Sequence, residues 1–189
     1  MIEHIDNILL VGDYYQHSVS GKNNTGEPFK TKDNVINYDD FIDMLNQKGI
    51  NVDTETLKKS RRCSENICEF VQKKLGIPIF SSEIHGGQII PVEDKDVKTI
   101  LANDEIIKLA YKAAATYNFV CKNWSYSKGD TYHSTCIILT DKTKNIFQEN
   151  WTNSLSNITK NQLYVALTRS CGDVYLMTPQ QLRSALHSG

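Results

Sequence analysis

The chain has 189 residues, 40% hydrophobic and 23% charged, with a formal net charge of −1. That length suits one ordinary domain with a core, or one domain with a short appendage, and no apolar run in it approaches the length of a membrane span. Near-neutral charge excludes a protein that grips nucleic acid through an overall basic surface, so any such contact is a local patch or is shared with another domain.

The amino terminus, MIEHIDNILLVGD, lacks the basic start and small-residue cleavage site of a signal peptide. Residues 7–11 form a short apolar run that ends at Gly12-Asp13, the pattern of a buried parallel strand. Residues 18–34 are rich in Gly, Asn, Lys and Thr without apolar periodicity and read as loop. Over 39–48, Phe41, Ile42 and Leu45 share a face and Gly49 follows, which predicts a short glycine-capped helix. Ser64 can cap a helix to Leu75 with Ile67, Phe70, Val71 and Leu75 inward, ended by Gly76 and Pro78.

Residues 89–92 and 97–102 read as strands. After them Asn103 or Asp104 caps a predicted helix with Ile106, Leu109, Ala110, Ala113 and Tyr117 at helical spacing. Residues 119–124 and 135–139 read as strands on either side of a polar turn. Thr159-Lys160-Asn161-Gln162 reads as a capping box opening a helix to Ser170. Gly172 stops that helix, and 174–177 is a strand. Thr178-Pro179-Gln180-Gln181 opens the last helix, to about Leu186, with proline at its first position. Strands alternating with helices from Arg62 onward predict an α/β fold with a mostly parallel sheet. The five cysteines, Cys63, Cys68, Cys121, Cys136 and Cys171, are odd in number and without CxxC spacing. They read as reduced, mostly buried thiols of a cytoplasmic protein rather than a disulfide framework or a metal site.

Four segments carry chemistry. Val11-Gly12-Asp13-Tyr14-Tyr15-Gln16 places a carboxylate and a carboxamide after a strand, either as a polar turn or at the ligand-binding edge of a parallel sheet. In Leu57-Lys58-Lys59-Ser60-Arg61-Arg62-Cys63-Ser64, two arginines precede a helix start; they form a solvated basic turn or a bidentate phosphate contact. Ser125-Tyr126-Ser127-Lys128-Gly129-Asp130-Thr131-Tyr132 offers hydroxyls, a lysine and a glycine to a phosphate backbone, or is an ordinary turn. Within Leu163-Tyr164-Val165-Ala166-Leu167-Thr168-Arg169, the inward stripe is Leu163, Ala166, Leu167 and Ser170. Arg169 lies about 120° off that stripe at roughly 100° per residue, so it is expected to point away from the domain's own core.

Taken in order, VGDYYQ, SRRCS, SYSKGDTY and LYVALTR resemble motifs III, IV, V and VI of superfamily 1 DNA helicases of the UvrD-like and RecD-like kind. The resemblance runs from about Ile8 to Met177. It implies a RecA-like (P-loop NTPase-type) parallel sheet flanked by helices, the second helicase domain, over 57–189. Residues 1–20 then close the first RecA-like domain and 21–56 form the linker.

The same resemblance implies ATP and Mg²⁺ as cofactors, with Gly12, Asp13, Gln16, Arg62, Gly129, Thr131 and Arg169 at the ATP. Gln16 would sense the γ-phosphate and attacking water, and Asp13 would support that loop and the magnesium region. Arg62 would contact the γ-phosphate, with Arg61 a weaker candidate, and Arg169 would be the arginine finger. Ser127, Lys128, Gly129 and Thr131 would couple nucleotide to single-stranded DNA. Trp124 and Tyr126 are candidates both for stacking on a base and for the core. Threonine at 131, where UvrD-like enzymes carry an acid, turns the likeness toward the RecD-like and phage group.

No GxxxxGKS/T sequence occurs, and no strand ending in Asp-Glu precedes VGDYYQ. The phosphate cradle and its magnesium holder are thus expected on a first RecA-like domain outside these residues, which makes the chain a fragment that is inactive alone. The alternative is a free-standing, non-catalytic module that binds nucleic acid or a protein.

Overall fold

The computed structural model describes residues 9, 11–16, 35–82 and 86–187. Helix α1 (Tyr38–Gln47), strand β1 (Lys59–Ser60), helix α2 (Glu65–Leu75) and strand β2 (Phe80–Ser81) come first. They are followed by β3 (Ile89–Pro91), α3 (Val97–Ala102), β4 (Ile106–Ala110), β5 (Cys121–Asn123), β6 (Ser134–Ile138), α4 (Asn157–Leu167), β7 (Val174–Met177) and α5 (Pro179–His187). β1 and β2 pair alone, and the other five strands form one sheet in the order β3-β7-β6-β4-β5. Every pairing in it is parallel.

Alternate residues of the sheet serve two apolar layers. Ile107, Leu109, Ile137, Val174 and Leu176 meet Ile67, Val71 and Leu75 of α2 and Leu163, Ala166 and Leu167 of α4. Ile106, Ala110, Cys136, Ile138, Tyr175 and Met177 meet Val97, Ile100 and Leu101 of α3 and Leu182 of α5. This is the expected α/β architecture, a five-stranded parallel sheet flanked by helices on both faces.

Four helix starts are set by side-chain caps, the first by Asn37, whose Oδ1 accepts from the Asp40 N–H at 2.9 Å before α1. The Ser64 hydroxyl accepts from the Ile67 N–H at 3.2 Å, and Gly76 closes α2 in the left-handed conformation at φ 63°. For α5, Thr178 Oγ1 accepts from the Gln181 N–H at 3.2 Å while Gln181 Oε1 accepts from the Thr178 N–H at 2.9 Å, the reciprocal box read from the sequence. Helix α4 differs from expectation at both ends. Ser156 is its cap, accepting from the Thr159 N–H at 3.2 Å, so it starts one turn early. It ends at Leu167, leaving Thr168 as its C-cap and Arg169 beyond it.

Two elements are exchanged relative to the sequence reading. Residues 97–102 are the helix α3, whose buried Val97, Ile100 and Leu101 have i, i+3, i+4 spacing. Ile106–Ala110 is the strand β4, not a helix. Because β4 is the second strand from one edge of a sheet covered on both faces, no polar alternation marks it, and its apolar spacing imitates a helix. Lys108 adds to the disguise. It is fully buried in β4, with its Nζ donating to the Asn103 carbonyl at 2.9 Å. Burial holds its ammonium below the usual lysine value. In the predicted strand at 7–11, Leu9 and Val11 are irregular and exposed, since no described strand runs beside them; residues 7, 8 and 10 and the loop 18–34 lie outside the described residues.

Backbones approach closely where β3 and β7 begin. A Cβ on Gly87 would lie 2.2 Å from the Gly172 carbonyl oxygen, and one on Gly172 would lie 2.5 Å from the His133 carbonyl oxygen. The same Gly87 carbonyl accepts the Ser64 hydroxyl that caps α2. Gly87→Ala is therefore expected to lower stability by about 1–3 kcal/mol through overpacking against backbone. Denaturant melts check this; an unchanged midpoint would show that the strands can part there without cost.

Candidate functional site

The four segments VGDYYQ, SRRCS, SYSKGDTY and LYVALTR need a common place if they act together, and the carboxyl end of α4 supplies it. A helix ends with unpaired carbonyls and a partial negative charge, which attract cations. Arg169 turns back onto that end. Its Nε donates to the Val165 carbonyl at 2.9 Å and its Nη2 to Thr168 Oγ1 at 3.0 Å. Arg62, in the turn before α2, donates Nη1 to the Thr168 carbonyl at 2.9 Å and to the Asp130 carbonyl at 3.1 Å. One guanidinium thus ties the SRRCS turn, the SYSKGDTY loop and the LYVALTR helix together. The oxygens bonded by both arginines are neutral.

Arg169 is only 3% exposed, against the expectation that it points away from the core. The physical reason is that α4 ends at Leu167, so Arg169 lies past the helix and folds back over its end, where the last two turns are covered almost all round. Tyr164 and Val165 are buried as well as Leu163, Ala166 and Leu167. The face that the stripe leaves open is covered by the turn Tyr14–Gln16, whose Tyr15 ring meets Tyr164 edge-on at 5.9 Å. Burial first, and the neighbouring Arg62 second, hold Arg169 below the ordinary arginine value, with Cys63, Tyr164 and Asp13 acting in the opposite sense.

The turn itself is organised by Asp13. Its Oδ1 accepts from the Tyr15 N–H at 3.0 Å; its Oδ2 accepts from Gln16 Nε2 at 2.7 Å and from the Tyr164 hydroxyl at 3.1 Å. An aromatic cluster fixes the turn from the other side. Tyr15 stacks on Tyr38 of α1 at 5.5 Å, and Tyr14 lies edge-on to Tyr38 and tilted against Phe41. Burial, followed by Tyr38 and Tyr14, pushes the Tyr15 phenol up to about 12. Gly12 is exposed, and Asp13 and Gln16 are half-buried.

Behind Arg62, Cys63 is fully buried. Its thiol is pulled below the ordinary cysteine value, first by a hydrogen bond with Cys68, then against burial by Ser60, Arg62 and Arg169. Cys68 and Cys136 are also buried, while Cys121 and Cys171 are half-buried.

Residues of the SYSKGDTY segment divide sharply. Trp124 is fully buried, with its Nε1 donating to the Leu109 carbonyl at 3.0 Å and its ring edge-on to Tyr111 at 5.3 Å. It belongs to the core and is not placed to stack on a base, because after β5 the chain folds back over the sheet as a 3-10 turn (Trp124–Ser127) against β4 and α4. Ser127 is fully buried too; its hydroxyl is used on the Trp124 carbonyl at 2.7 Å, which removes it from any DNA-facing set. By contrast Tyr126 is 78% exposed, and Lys128, Gly129 and Thr131 are exposed, with Gly129 at φ 89° making the turn. Asp130 accepts from Lys122 Nζ at 3.0 Å and from the Tyr132 hydroxyl; these two contacts, Tyr132 first, hold its carboxyl below the usual range. Arg61 is exposed.

Arg62, Arg169, Asp13 and Gln16 are therefore brought together, and Tyr126, Lys128 and Thr131 occupy an exposed loop linked to them through Asp130. Sequence reasoning missed Tyr164, Thr168 and the Asp130 carbonyl. Tyr164 sits within the LYVALTR segment, but nothing in its spacing marks the contact to Asp13. Two guanidiniums gathered on neutral oxygens suit a phosphate anion. For a metal ion the fit fails: among the described residues no group of three or more His, Cys, Asp or Glu could hold one, and Asp13 is taken up by its three donors. Among the described residues, no helix is long and apolar enough to cross a membrane.

Residues 1–178 match the family model described as the viral superfamily 1 RNA helicase core domain. A search of curated proteins returns no match. Among solved structures, the helicase nsp10 of PRRSV is similar at 19% identity and a TM-score of 0.42, over 67% of this chain and 25% of that one. An arterivirus nonstructural protein 10 helicase is similar at 13% identity and a TM-score of 0.43, over 69% of this chain and 27% of that one. The chain thus spans about a quarter of the length of these two helicases. The likeness carried by the four motifs is met at the level of the superfamily: the chain belongs to the superfamily 1 helicases, in the family of viral superfamily 1 RNA helicase core domains.

Proposed function

We propose that this chain supplies the second-domain half of an ATP-driven helicase or translocase that works in the cytoplasm on single-stranded nucleic acid. The observation that carries the reading is the gathering of Arg62, Arg169 and the Asp13–Gln16 turn at the carboxyl end of α4. Phosphoryl transfer asks a protein mainly for positioning and charge stabilisation. Here Arg62 binds the γ-phosphate of ATP held on a facing P-loop, and Gln16 orients the attacking water. Arg169 leaves the Val165 carbonyl and the Thr168 hydroxyl to neutralise charge on the transferring group. A magnesium ion would be held by the facing domain rather than by these residues, and would supply charge neutralisation to the phosphates.

Single-stranded DNA is the track implied by the motif likeness, while the family's description names RNA. Tyr126 supplies a stacking face and Lys128 a phosphate contact, and neither distinguishes the two sugars. Direct competition between single-stranded DNA and RNA of one length assigns the track.

The isolated 189 residues, lacking a P-loop, are expected to hydrolyse no ATP and to bind oligonucleotides weakly, with affinity falling steeply as salt rises. A steady-state assay showing robust turnover by the isolated chain would remove the two-domain reading. Tight, salt-insensitive binding would remove the phosphate contact.

A further inference from the structure

Tyr164 has no part in the roles assigned above, yet it makes the contact on which their geometry depends. It is 6% exposed, on α4, five residues before Arg169. Three donors hold the Asp13 carboxylate, and they do different jobs. The Tyr15 N–H and Gln16 Nε2 are two and three residues away, so they fix the carboxylate only relative to its own turn. The Tyr164 hydroxyl is 151 residues away in sequence and fixes that turn relative to α4.

The connection continues on the other side. The Tyr164 carbonyl accepts the Thr168 hydroxyl at 2.9 Å, and Thr168 Oγ1 accepts Arg169 Nη2 at 3.0 Å. Gln16, Asp13, Tyr164, Thr168 and Arg169 thus form one hydrogen-bonded chain. Hydrogen bonds to a charged group in a partly buried place are the strong ones, and a buried network fixes the orientation of each member.

We propose that Tyr164 is a positioning residue for ATP hydrolysis: its hydroxyl, through Asp13, sets the Gln16 carboxamide and couples it to the helix end that holds Arg169. The proposal rests on the function proposed above and adds a residue to the same site. Tyr164 must act as a protonated donor. Burial first, and the Asp13 carboxylate after it, push its phenol above the ordinary tyrosine value and keep it protonated across the working pH range. Without the hydroxyl, Gln16 keeps its bond to Asp13, but the pair can rotate away from α4. Water and arginine are then no longer aligned together.

Tyr164→Phe removes only the donor and keeps the ring against Tyr15. In the full-length polypeptide it is expected to lower kcat about tenfold with KM for ATP unchanged, the loss of one hydrogen bond to a charged group. In the 189-residue chain, the side-chain amide resonances of Gln16 are expected to move toward solvent-averaged positions. Asp13→Asn, on the half-exposed turn, reports on the same contact without disturbing the core. It should reproduce both effects, and Tyr164→Phe added to it should cost nothing further. Wild-type kcat in Tyr164→Phe, while Arg169→Ala abolishes turnover, overturns the positioning role and leaves the function standing. Full turnover in Arg169→Ala as well overturns the function, and this proposal with it.

Discussion

Arg169→Ala in the full-length polypeptide is expected to cut ATP turnover by about 10³–10⁵, the range over which an arginine finger contributes. The structure adds a condition to this result. Arg169 is not a side chain waiting in solvent: it is 3% exposed and bonded to Val165 and Thr168. Its removal therefore also strips a cation from the end of α4, worth up to about 2 kcal/mol where partly buried. A thermal melt of the same variant separates the two effects, because a modest fall in Tm cannot account for a thousandfold fall in kcat. Arg169→Lys sharpens the test. It keeps a positive charge at the helix end but loses the planar fork. Near wild-type stability with turnover still far below wild type is expected. Retained turnover in both variants would mean that Arg169 serves only to close α4.

Trp124→Ala and Tyr126→Ala are expected to fail in opposite ways, although the two residues are neighbours in one loop. Trp124 is fully buried, and its replacement by alanine leaves a cavity between β4 and α4 that costs about 3–5 kcal/mol. That is a large part of the stability of an ordinary domain. Tyr126 is 78% exposed; its replacement should leave stability within about 0.5 kcal/mol of wild type. If it stacks on a base it should weaken oligonucleotide binding by about 1–3 kcal/mol. Urea melts and fluorescence-anisotropy titrations on the two variants read both quantities. A stable Trp124→Ala chain with weakened binding would return the tryptophan to the nucleic-acid face.

What was legible in the sequence follows the physics of each segment. Helices α2 and α5 and strands β6 and β7 could be read because local chemistry marks them: Ser64 with Gly76, Thr178 with Gln181, and apolar runs bounded by turns. β4 and α3 could not. A strand buried on both faces has no alternation, and a six-residue helix gives too few turns for its period to show. The four motifs identified the site, but orientation within it depended on long-range packing. The inward stripe correctly named four buried residues, Leu163, Ala166, Leu167 and Ser170. It failed for Arg169 because the helix ends at Leu167, so the helical projection stops short of it and its guanidinium folds back onto Val165 and Thr168. Similarly, Ser127 looked like a ligand hydroxyl: nothing local shows that its donor is used on the Trp124 carbonyl.

The central claim is that Gln16, Arg62 and Arg169 act as one γ-phosphate-reading unit held at the end of α4. Steady-state ATP turnover of the three single alanine variants and the triple variant in the full-length polypeptide tests it most directly. Residues that act as a unit are strongly non-additive, so the triple variant is expected to lose no more than the worst single one. Single losses that multiply in the triple variant would show three independent residues, and no loss in any of them would show that the cluster does not touch the reacting phosphate.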